Sequence, residues 1–103
     1  MILYNVWFSF KAGSDEAVEI EKIKMFLNDL QDRAMIHEYR LLKNRAQAGK
    51  SKLPPYQMIA EFSDENQFGL PFAEVKRIGI HSGRHGSMIE NVDEFVVELF
   101  EDL

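Results

Sequence analysis

Apolar and polar residues alternate along several segments of the chain, and this period of two predicts β-strands. In residues 2–10 every even position is apolar, whereas the odd positions are mixed. Tyr56–Phe62 and residues 92–100 alternate in the same way, and residues 35–45 do so more weakly. We therefore predict four strands over these segments.

A period of three to four residues follows the first strand and predicts an amphipathic helix. Ser14 can cap this helix, and Asp15 and Glu16 then lie in its first turn, where carboxylates suit the positive end of the helix dipole. The apolar stripe consists of Ile20, Ile23, Leu27, Leu30 and Ala34. The opposite, polar face is expected to hold Glu19, Glu21, Lys22, Asn28 and Asp32.

A second helix is predicted after the third strand, where Asp64 and Gln67 have capping-box spacing. Gly69 and Pro71 are expected to split this helix into a short turn and a second piece that begins near Pro71. The predicted buried side of the second piece consists of Phe72, Val75 and Ile78.

The resulting order is strand, helix, strand, strand, helix, strand, which is the ferredoxin-like βαββαβ arrangement. Residues 1–103 are predicted to form a single α+β domain, because a chain of this length supports one core. We expect a four-stranded antiparallel sheet with two helices on one face. Residues 47–55 are predicted to be a loop, and residues 81–91 a connector.

The sheet face turned away from the helices, called the open face below, is predicted to be largely apolar. Its apolar members are Leu3, Trp7, Leu42, Ile59, Val96 and Phe100, interspersed with Asn5, Ser9, Gln57, Glu61 and Glu98. Six large apolar side chains exceed the roughly few hundred Å² of apolar patch that a monomer usually exposes. We therefore predict a homodimer in which two open faces pack together into one α/β barrel.

Composition and charge narrow the classes of partner. With 12 basic and 17 acidic residues, the net charge of −5 creates no overall attraction for nucleic acid or an anionic membrane. The third strand also lacks the basic and aromatic run of an RNA-recognition domain and carries Glu61 instead. No segment reaches the roughly 18 apolar residues of a membrane span, and the apolar N-terminus lacks the features of a signal peptide.

The chain has no cysteine, which excludes disulfides, thiolate nucleophiles and cysteine-based zinc sites. This composition suits a reducing compartment. We therefore expect a soluble cytoplasmic protein with no membrane or nucleic-acid partner.

The charges are unevenly distributed along the chain. Residues 40–52 carry only basic charges, namely Arg40, Lys43, Arg45, Lys50 and Lys52. Residues 90–102 carry only acidic charges, namely Glu90, Asp93, Glu94, Glu98, Glu101 and Asp102. The two segments either form separate solvated surfaces or meet, within one subunit or across a dimer.

Two groups of residues are candidates for a functional site. Asn5 and Trp7 place an amide and an indole donor beside an apolar wall, which suits a flat ligand, although both residues also fit a dimer interface. The second group lies in the predicted connector, where Arg84 and the backbone beside Gly83 and Gly86 could hold a carboxylate or phosphate. The alternative is an ordinary glycine-relaxed loop.

Acid–base chemistry is assigned to the histidines of the same connector. His81 or His85 could act as an acid or a base near neutral pH, with Glu61 or Glu98 pointing toward the same cleft. The histidines are four residues apart and would share one face only in a helix, which Gly83 and Gly86 oppose. No metal site is therefore predicted.

Residues 4–8 (YNVWF), 38–42 (EYRLL) and 79–87 (GIHSGRHGS) carry a resemblance to a known superfamily. Through them the chain resembles the dimeric α/β-barrel superfamily, which includes stress-responsive barrel proteins and antibiotic-biosynthesis-type and haem-degrading monooxygenases. More narrowly, it resembles an uncharacterised bacterial branch of that group. The resemblance implies that Asn5 matches the Asn that related monooxygenases use near the start of their first strand. Those enzymes place a Trp and a His later in the chain, whereas the only Trp here is Trp7, so no haem or other cofactor is expected.

Three functions remain open from the sequence. The first is a homodimer that binds a small organic ligand in the cleft between sheet and helices. The second is a cofactor-independent oxygenase or isomerase, for which the catalytic candidates are Asn5, His81 and His85. The third is a structural or interaction protein without a ligand. The expected ligand-binding set consists of Asn5, Trp7, Glu61, His81, Arg84 and His85.

Overall fold

Four antiparallel strands form one sheet in the order β2-β3-β1-β4. The computed structural model describes residues 1–45 and 52–103. Its elements are β1 (Ile2–Phe10), α1 (Glu16–Asp32), β2 (Glu38–Lys43), β3 (Tyr56–Phe62), α2 (Glu65–Ile78), α3 (Gly83–Ile89) and β4 (Val92–Glu101). The predicted ferredoxin-like βαββαβ order is confirmed, with one short helix added. Lys50 and part of the predicted loop 47–55 lie outside the described residues.

The strand register assembles the open face into transverse rows. Leu3 pairs with Glu61 and Phe100, Asn5 with Ile59 and Glu98, and Trp7 with Gln57 and Val96. Across the other edge, Glu38 pairs with Glu61, Arg40 with Ile59, and Leu42 with Gln57. The predicted membership of the open face is therefore confirmed along these rows.

The hydrophobic core lies on the other side of the sheet. Its buried members are Phe8, Ile23, Leu27, Leu30, Ile36, Ala60 and Phe62. Even-numbered positions of β1 and β3 pack against the apolar stripe of α1, as the alternation predicts. Full burial of a large apolar side chain such as Phe62 stabilises the fold by about 1.5–3 kcal/mol.

The first helix begins and ends close to its predicted limits, with two corrections. Its N-cap is Asp15 rather than Ser14, because Asp15 Oδ1 accepts a hydrogen bond of 3.2 Å from the backbone N–H of Val18. The helix ends at Asp32, and Ala34 has a positive φ of 57°. Ala34 is therefore an exposed turn residue and not part of the buried stripe.

Glu19 is the clearest error in the predicted helix faces. The sequence predicts Glu19 on the polar face, but it is only 3% exposed. The physical reason is its position four residues before Ile23, which places both side chains on the same stripe. Hydrogen bonds from Lys22 and Asn91 compensate part of the cost of burying its carboxylate.

The second strand is shorter than the predicted segment 35–45. The preceding residues form the return from α1, where the backbone N–H of Met35 donates to the carbonyl of Leu30 at 2.9 Å. Ile36 is buried in the core although it precedes the strand. Ile36 is apolar because the segment that returns from α1 packs into the core, and not because it is part of an alternating strand.

The second helix is continuous across Gly69 and Pro71, so the predicted split is wrong. The Asp64 cap is present, because the Gln67 N–H donates to Asp64 Oδ1 at 2.8 Å. Gln67 Oε1 also reaches back, but it accepts at 2.6 Å from the N–H of Ser63, one residue before the position that a regular capping box uses. Pro71 lies inside the helix and removes one backbone donor from it. The ring of Pro71 is buried, and the packing of this side of α2 holds the helix together.

The predicted buried side of α2 is also only partly correct. Phe72 and Ile78 are exposed, although the ring of Phe72 contacts Tyr4 edge-on at a centroid distance of 5.3 Å. The sequence period identifies the apolar residues of α2, but it does not show that the rest of the molecule leaves Phe72 and Ile78 exposed.

The predicted connector 81–91 contains the short helix α3. Its two glycines reduce helix propensity, so the sequence alone does not predict a helix here. Gly86 is required by packing, because a Cβ at this position would lie 2.3 Å from the backbone carbonyl carbon and oxygen of His81. The turn that precedes α3 therefore folds back onto the helix at Gly86, where no side chain is in the way.

The last strand is exposed on both of its faces. On its helix side, Phe95 is 66% and Leu99 is 56% exposed, so the helices do not cover this apolar face as predicted. On the open face, Val96 and Phe100 are exposed as well. A single chain therefore leaves β4 uncovered on either side.

Candidate functional site

The residues predicted to form one site lie on opposite sides of the sheet. Asn5, Trp7 and Glu61 belong to the open face, as the strand register shows. Arg84 and His85 lie on the helix side, because Arg84 contacts Asp29 of α1 and His85 contacts Phe26 of α1. His81 is exposed in the turn before α3. The structure does not bring these six residues into one cleft.

On the open face, Asn5 is fixed in the centre of the sheet. Its side chain is only 4% exposed, and its Oδ1 accepts a hydrogen bond of 2.9 Å from Nε2 of Gln57. Its Nδ2 lies 3.5 Å from the backbone carbonyl of Leu3, at the limit of a hydrogen bond. Trp7 is half-buried in the adjacent row. This geometry holds an amide rigidly within an apolar surface.

Glu61 lies at a different place on the open face. Its register neighbours are Leu3 of β1 and Glu38 of β2, so two carboxylate side chains are adjacent across β2 and β3. The carboxylate of Glu38 accepts a hydrogen bond of 3.0 Å from Nε2 of Gln31. Glu61 therefore has an acidic neighbour, and it lies on the opposite side of the sheet from His85. Its backbone carbonyl accepts a hydrogen bond of 2.8 Å from the N–H of His37.

On the helix side, the three helices line a half-open cleft of about 360 Å³, called the helix cleft below. Its apolar part consists of Phe26, Leu30, Val75 and Ile78, and its polar part includes Asp29, Arg33, Glu74, Arg84 and His85. The helix cleft thus combines an apolar surface with several charged groups, as small-molecule sites commonly do.

His85 is oriented within the helix cleft by two contacts. Its Nδ1 lies 2.7 Å from the backbone carbonyl oxygen of Ile80, and its ring packs edge-on against Phe26 at a centroid distance of 5.5 Å. A carbonyl oxygen can only accept, so Nδ1 carries the proton in the neutral ring. Nε2 then has a free lone pair and is available as a hydrogen-bond acceptor or base.

A chain of ion pairs forms the charged wall of the helix cleft. Arg33 donates from Nη1 to both carboxylate oxygens of Glu74, at 2.7 and 2.9 Å, and from Nη2 to Asp29 at 2.7 Å. Arg84 reaches the same Asp29 at 3.2 Å. The hydrogen bond to Glu74 is the main cause of the raised pKa of Arg33. An anion that binds Arg84 must therefore compete with Asp29.

A second, smaller hollow of about 190 Å³ lies between α1 and the sheet, beside Glu16, Lys43 and Tyr56. Glu16 Oε2 accepts hydrogen bonds from Lys43 Nζ at 2.8 Å and from the Tyr56 hydroxyl at 2.5 Å. The bond from Lys43 and then the bond from Tyr56 lower the pKa of Glu16, and the bond to Glu16 raises the pKa of Tyr56. These residues are far apart in sequence, and no spacing rule identifies the cluster.

A metal site would need several ligating side chains close together, and a membrane span would need a long apolar helix. No group of three or more His, Asp or Glu side chains suited to a metal ion occurs in residues 1–45 and 52–103. Within the same ranges, every helix is too short or too polar to cross a lipid bilayer.

The fold defines a ferredoxin-like α+β protein, and the sequence assigns it to a family. Residues 1–103 match the model of a family of unknown function, DUF6614, and the chain belongs to that family. No curated protein is significantly similar to the chain in sequence.

Several solved structures share the fold. The Arabidopsis thaliana protein At3g17210 matches with a TM-score of 0.75 and 13% identity, covering 100% of this chain and 96% of that one. A dimeric ferredoxin-like protein of unknown function from Jannaschia sp. CCS1 matches with a TM-score of 0.65 and 17% identity, covering 99% and 100%. A hydroxynitrile lyase from Passiflora edulis matches with a TM-score of 0.65 and 15% identity, covering 96% and 90%. At these identities the likeness shows the fold alone.

Proposed function

We propose that the protein is a homodimer formed through the open face and that it binds a small organic ligand in the helix cleft of each subunit. The dimer is supported by the apolar side chains of the open face, since water would otherwise cover Trp7, Val96 and Phe100. The structurally similar proteins from Jannaschia sp. CCS1 and Thermobifida fusca are dimeric ferredoxin-like proteins, which supports the same assembly. In this proposal Asn5, Gln57 and Trp7 belong to the interface.

The ligand site is supported above all by the orientation of His85. The carbonyl of Ile80 fixes the tautomer, and the free Nε2 then accepts a hydrogen bond from a ligand hydroxyl or amine. The apolar surface of Phe26, Leu30 and Val75 suits a flat or aliphatic ligand body. A volume of about 360 Å³ is within the size range of small-molecule sites. In this proposal Arg84 lies at the rim of the helix cleft, and His81 is not part of the ligand site.

An enzyme is the second candidate function. In this reading His85 Nε2 is the general base that takes a proton from the substrate. An isomerase returns that proton to another position of the substrate, whereas a cofactor-independent oxygenase lets the resulting carbanion react with O2, which is the oxidant. The fold neighbour from Passiflora edulis is a hydroxynitrile lyase, so this architecture supports an enzyme in at least one protein. A structural or interaction protein without a ligand is the third candidate. We place the protein in the cytoplasm because its cysteine-free composition suits a reducing compartment.

A thermal-shift panel tests the ligand proposal. Phenols, quinones, short carboxylates and haem are added to wild type, to His85→Ala and to the control His37→Ala, which removes an exposed histidine. A ligand at a hundred times its Kd stabilises the native state by about 2.7 kcal/mol. We expect a phenol or hydroxy acid to raise the Tm of wild type and His37→Ala but not of His85→Ala. Equal shifts in all three proteins would contradict the assignment, and no shift with any compound would favour the interaction protein.

A further inference from the structure

The strands β2 and β4, which carry the start of the basic segment and most of the acidic segment, lie on opposite edges of the sheet. The basic segment begins in β2 and the acidic segment covers β4, and β3 and β1 separate these two edge strands. Three inter-strand spacings amount to about 14 Å, which is too far for an ion pair. Charges on the two edges therefore cannot meet within one subunit, but they can meet between two subunits.

Arg40 and Glu98 are the edge charges that face the open side. Arg40 pairs with Ile59 and Glu98 pairs with Asn5, and Asn5 pairs with Ile59, so Arg40 and Glu98 occupy the two ends of one transverse row. Both side chains are exposed in the single chain. Lys43, by contrast, is already paired with Glu16 on the helix side.

We infer that the acidic β4 edge of one copy lies antiparallel to the basic β2 edge of a second copy, with Arg40 and Glu98 paired at both junctions. This inference rests on the proposed homodimer and specifies its geometry. A two-fold axis parallel to the strands keeps each residue at the same position along the strand direction. The same axis reverses the order of the strands across the sheet, so β2 of one copy lies beside β4 of the other. An axis perpendicular to the strands would instead place Arg40 near Arg40 and Glu98 near Glu98.

The exposed apolar residues of β4 support the same geometry. On the helix side, Val97 and Leu99 have no apolar strand neighbour beyond β4, since β4 is an edge strand. In the proposed arrangement, β2 of the second copy lies beside them and presents Tyr39 and Leu41 on the same face at the same heights. The apolar rows of one sheet then continue into the other, and the exposed edges are covered.

Charge variants test this inference by sedimentation equilibrium. The dimer Kd is measured for wild type, for the single variants Arg40→Gln, Arg40→Glu and Glu98→Arg, and for the double variant Arg40→Glu/Glu98→Arg. Lys76→Glu is the matched control for Arg40→Glu, because it makes the same change in net charge on α2, on the helix side. Far-UV circular dichroism confirms that each variant is folded.

We expect Arg40→Glu and Glu98→Arg each to raise the dimer Kd by about tenfold. The dimer has two junctions, and either variant replaces the attractive Arg40–Glu98 pair at both of them with a pair of like charges. Arg40→Gln raises the Kd less, and the double variant restores the wild-type value. If Arg40→Gln tightens the dimer, like charges face each other and the inference is wrong. If the single variants behave like Lys76→Glu, the inference is wrong while the dimer stands. A monomeric wild type would contradict both proposals.

Discussion

Asn91 Nδ2 donates a hydrogen bond of 2.8 Å to Oε1 of Glu19, whose side chain is almost fully buried. Lys22 Nζ approaches the same oxygen at 3.2 Å, whereas Glu19 Oε2 has no hydrogen-bond partner among the described residues. Asn91 directly precedes β4, so this contact joins α1 to the start of the last strand. A buried carboxylate is tolerated here because two donors converge on it.

Replacement of Glu19 tests this contact. Glu19→Ala leaves the amide of Asn91 without its acceptor and creates space in the interior, so the free energy of unfolding should fall by about 1–3 kcal/mol. Urea denaturation followed by circular dichroism measures the loss. The control Glu21→Ala removes an exposed carboxylate from the same helix and should change stability by less than about 0.5 kcal/mol. Equal effects of both variants would show that Glu19 contributes nothing through its burial.

Replacement by alanine should change the stability of the protein in opposite directions at Gly69 of α2 and at Gly86 of α3. Gly86→Ala places a Cβ 2.3 Å from the His81 backbone and should destabilise the protein by about 1–3 kcal/mol. Gly69→Ala meets no atom within 4 Å and should stabilise the protein by about 0.5–1 kcal/mol, because alanine favours a helix interior. Thermal unfolding measures both. A stable Gly86→Ala variant would mean that the turn before α3 does not pack as described.

The lowered pKa of Glu16 predicts a pH-dependent contribution to stability. The hydrogen bonds from Lys43 and Tyr56 favour the carboxylate in the folded state, so its contribution is present above the ordinary value of 4.5. The contribution is lost as the pH falls through the lower, folded-state pKa. The stability difference between wild type and Glu16→Gln should therefore be constant near neutral pH and shrink below about pH 4.5. Urea titrations across this range measure it, and a difference that persists at low pH would contradict the assignment.

Trp7 should contribute strongly to the dimer. Trp7→Ala removes the largest side chain of the open face and should raise the dimer Kd by about thirtyfold, which corresponds to about 2 kcal/mol. Sedimentation equilibrium measures the change. Met25→Ala, which shortens an exposed side chain on α1, is the control. The same change in Kd for both variants would remove Trp7 from the interface.

Much of the fold follows from periodicity alone. The alternation of residues 2–10 and Tyr56–Phe62 identifies both strands and which side of each faces the core, because a half-buried strand must alternate. The long apolar stripe identifies α1 for a similar reason. Helix α3 is missed because Gly83 and Gly86 lower its propensity, and tertiary packing against the preceding turn outweighs that effect. The burial of Glu19 does not follow from its residue type, because the donor that compensates for it, Asn91, lies 72 residues away.

The candidate site is less predictable than the fold. Sequence spacing singles out His85 and Arg84, and both line the helix cleft. It also groups them with Asn5 and Trp7, although the sheet lies between the two sets. The partners of His85 are a backbone carbonyl and Phe26, and the partners of Glu16 come from two other elements. Contacts of this kind depend on how the helices pack against the sheet, and local sequence patterns do not predict that packing.

The mass of the wild-type protein in solution tests the central claim that the open face is covered by a second copy. Light scattering coupled to size-exclusion chromatography is measured at about micromolar concentration and above, where interfaces of ordinary size remain associated. The account predicts roughly twice the chain mass of 12.0 kDa. A mass of one chain at every concentration would contradict it, because the apolar residues of the open face would then be stable in water.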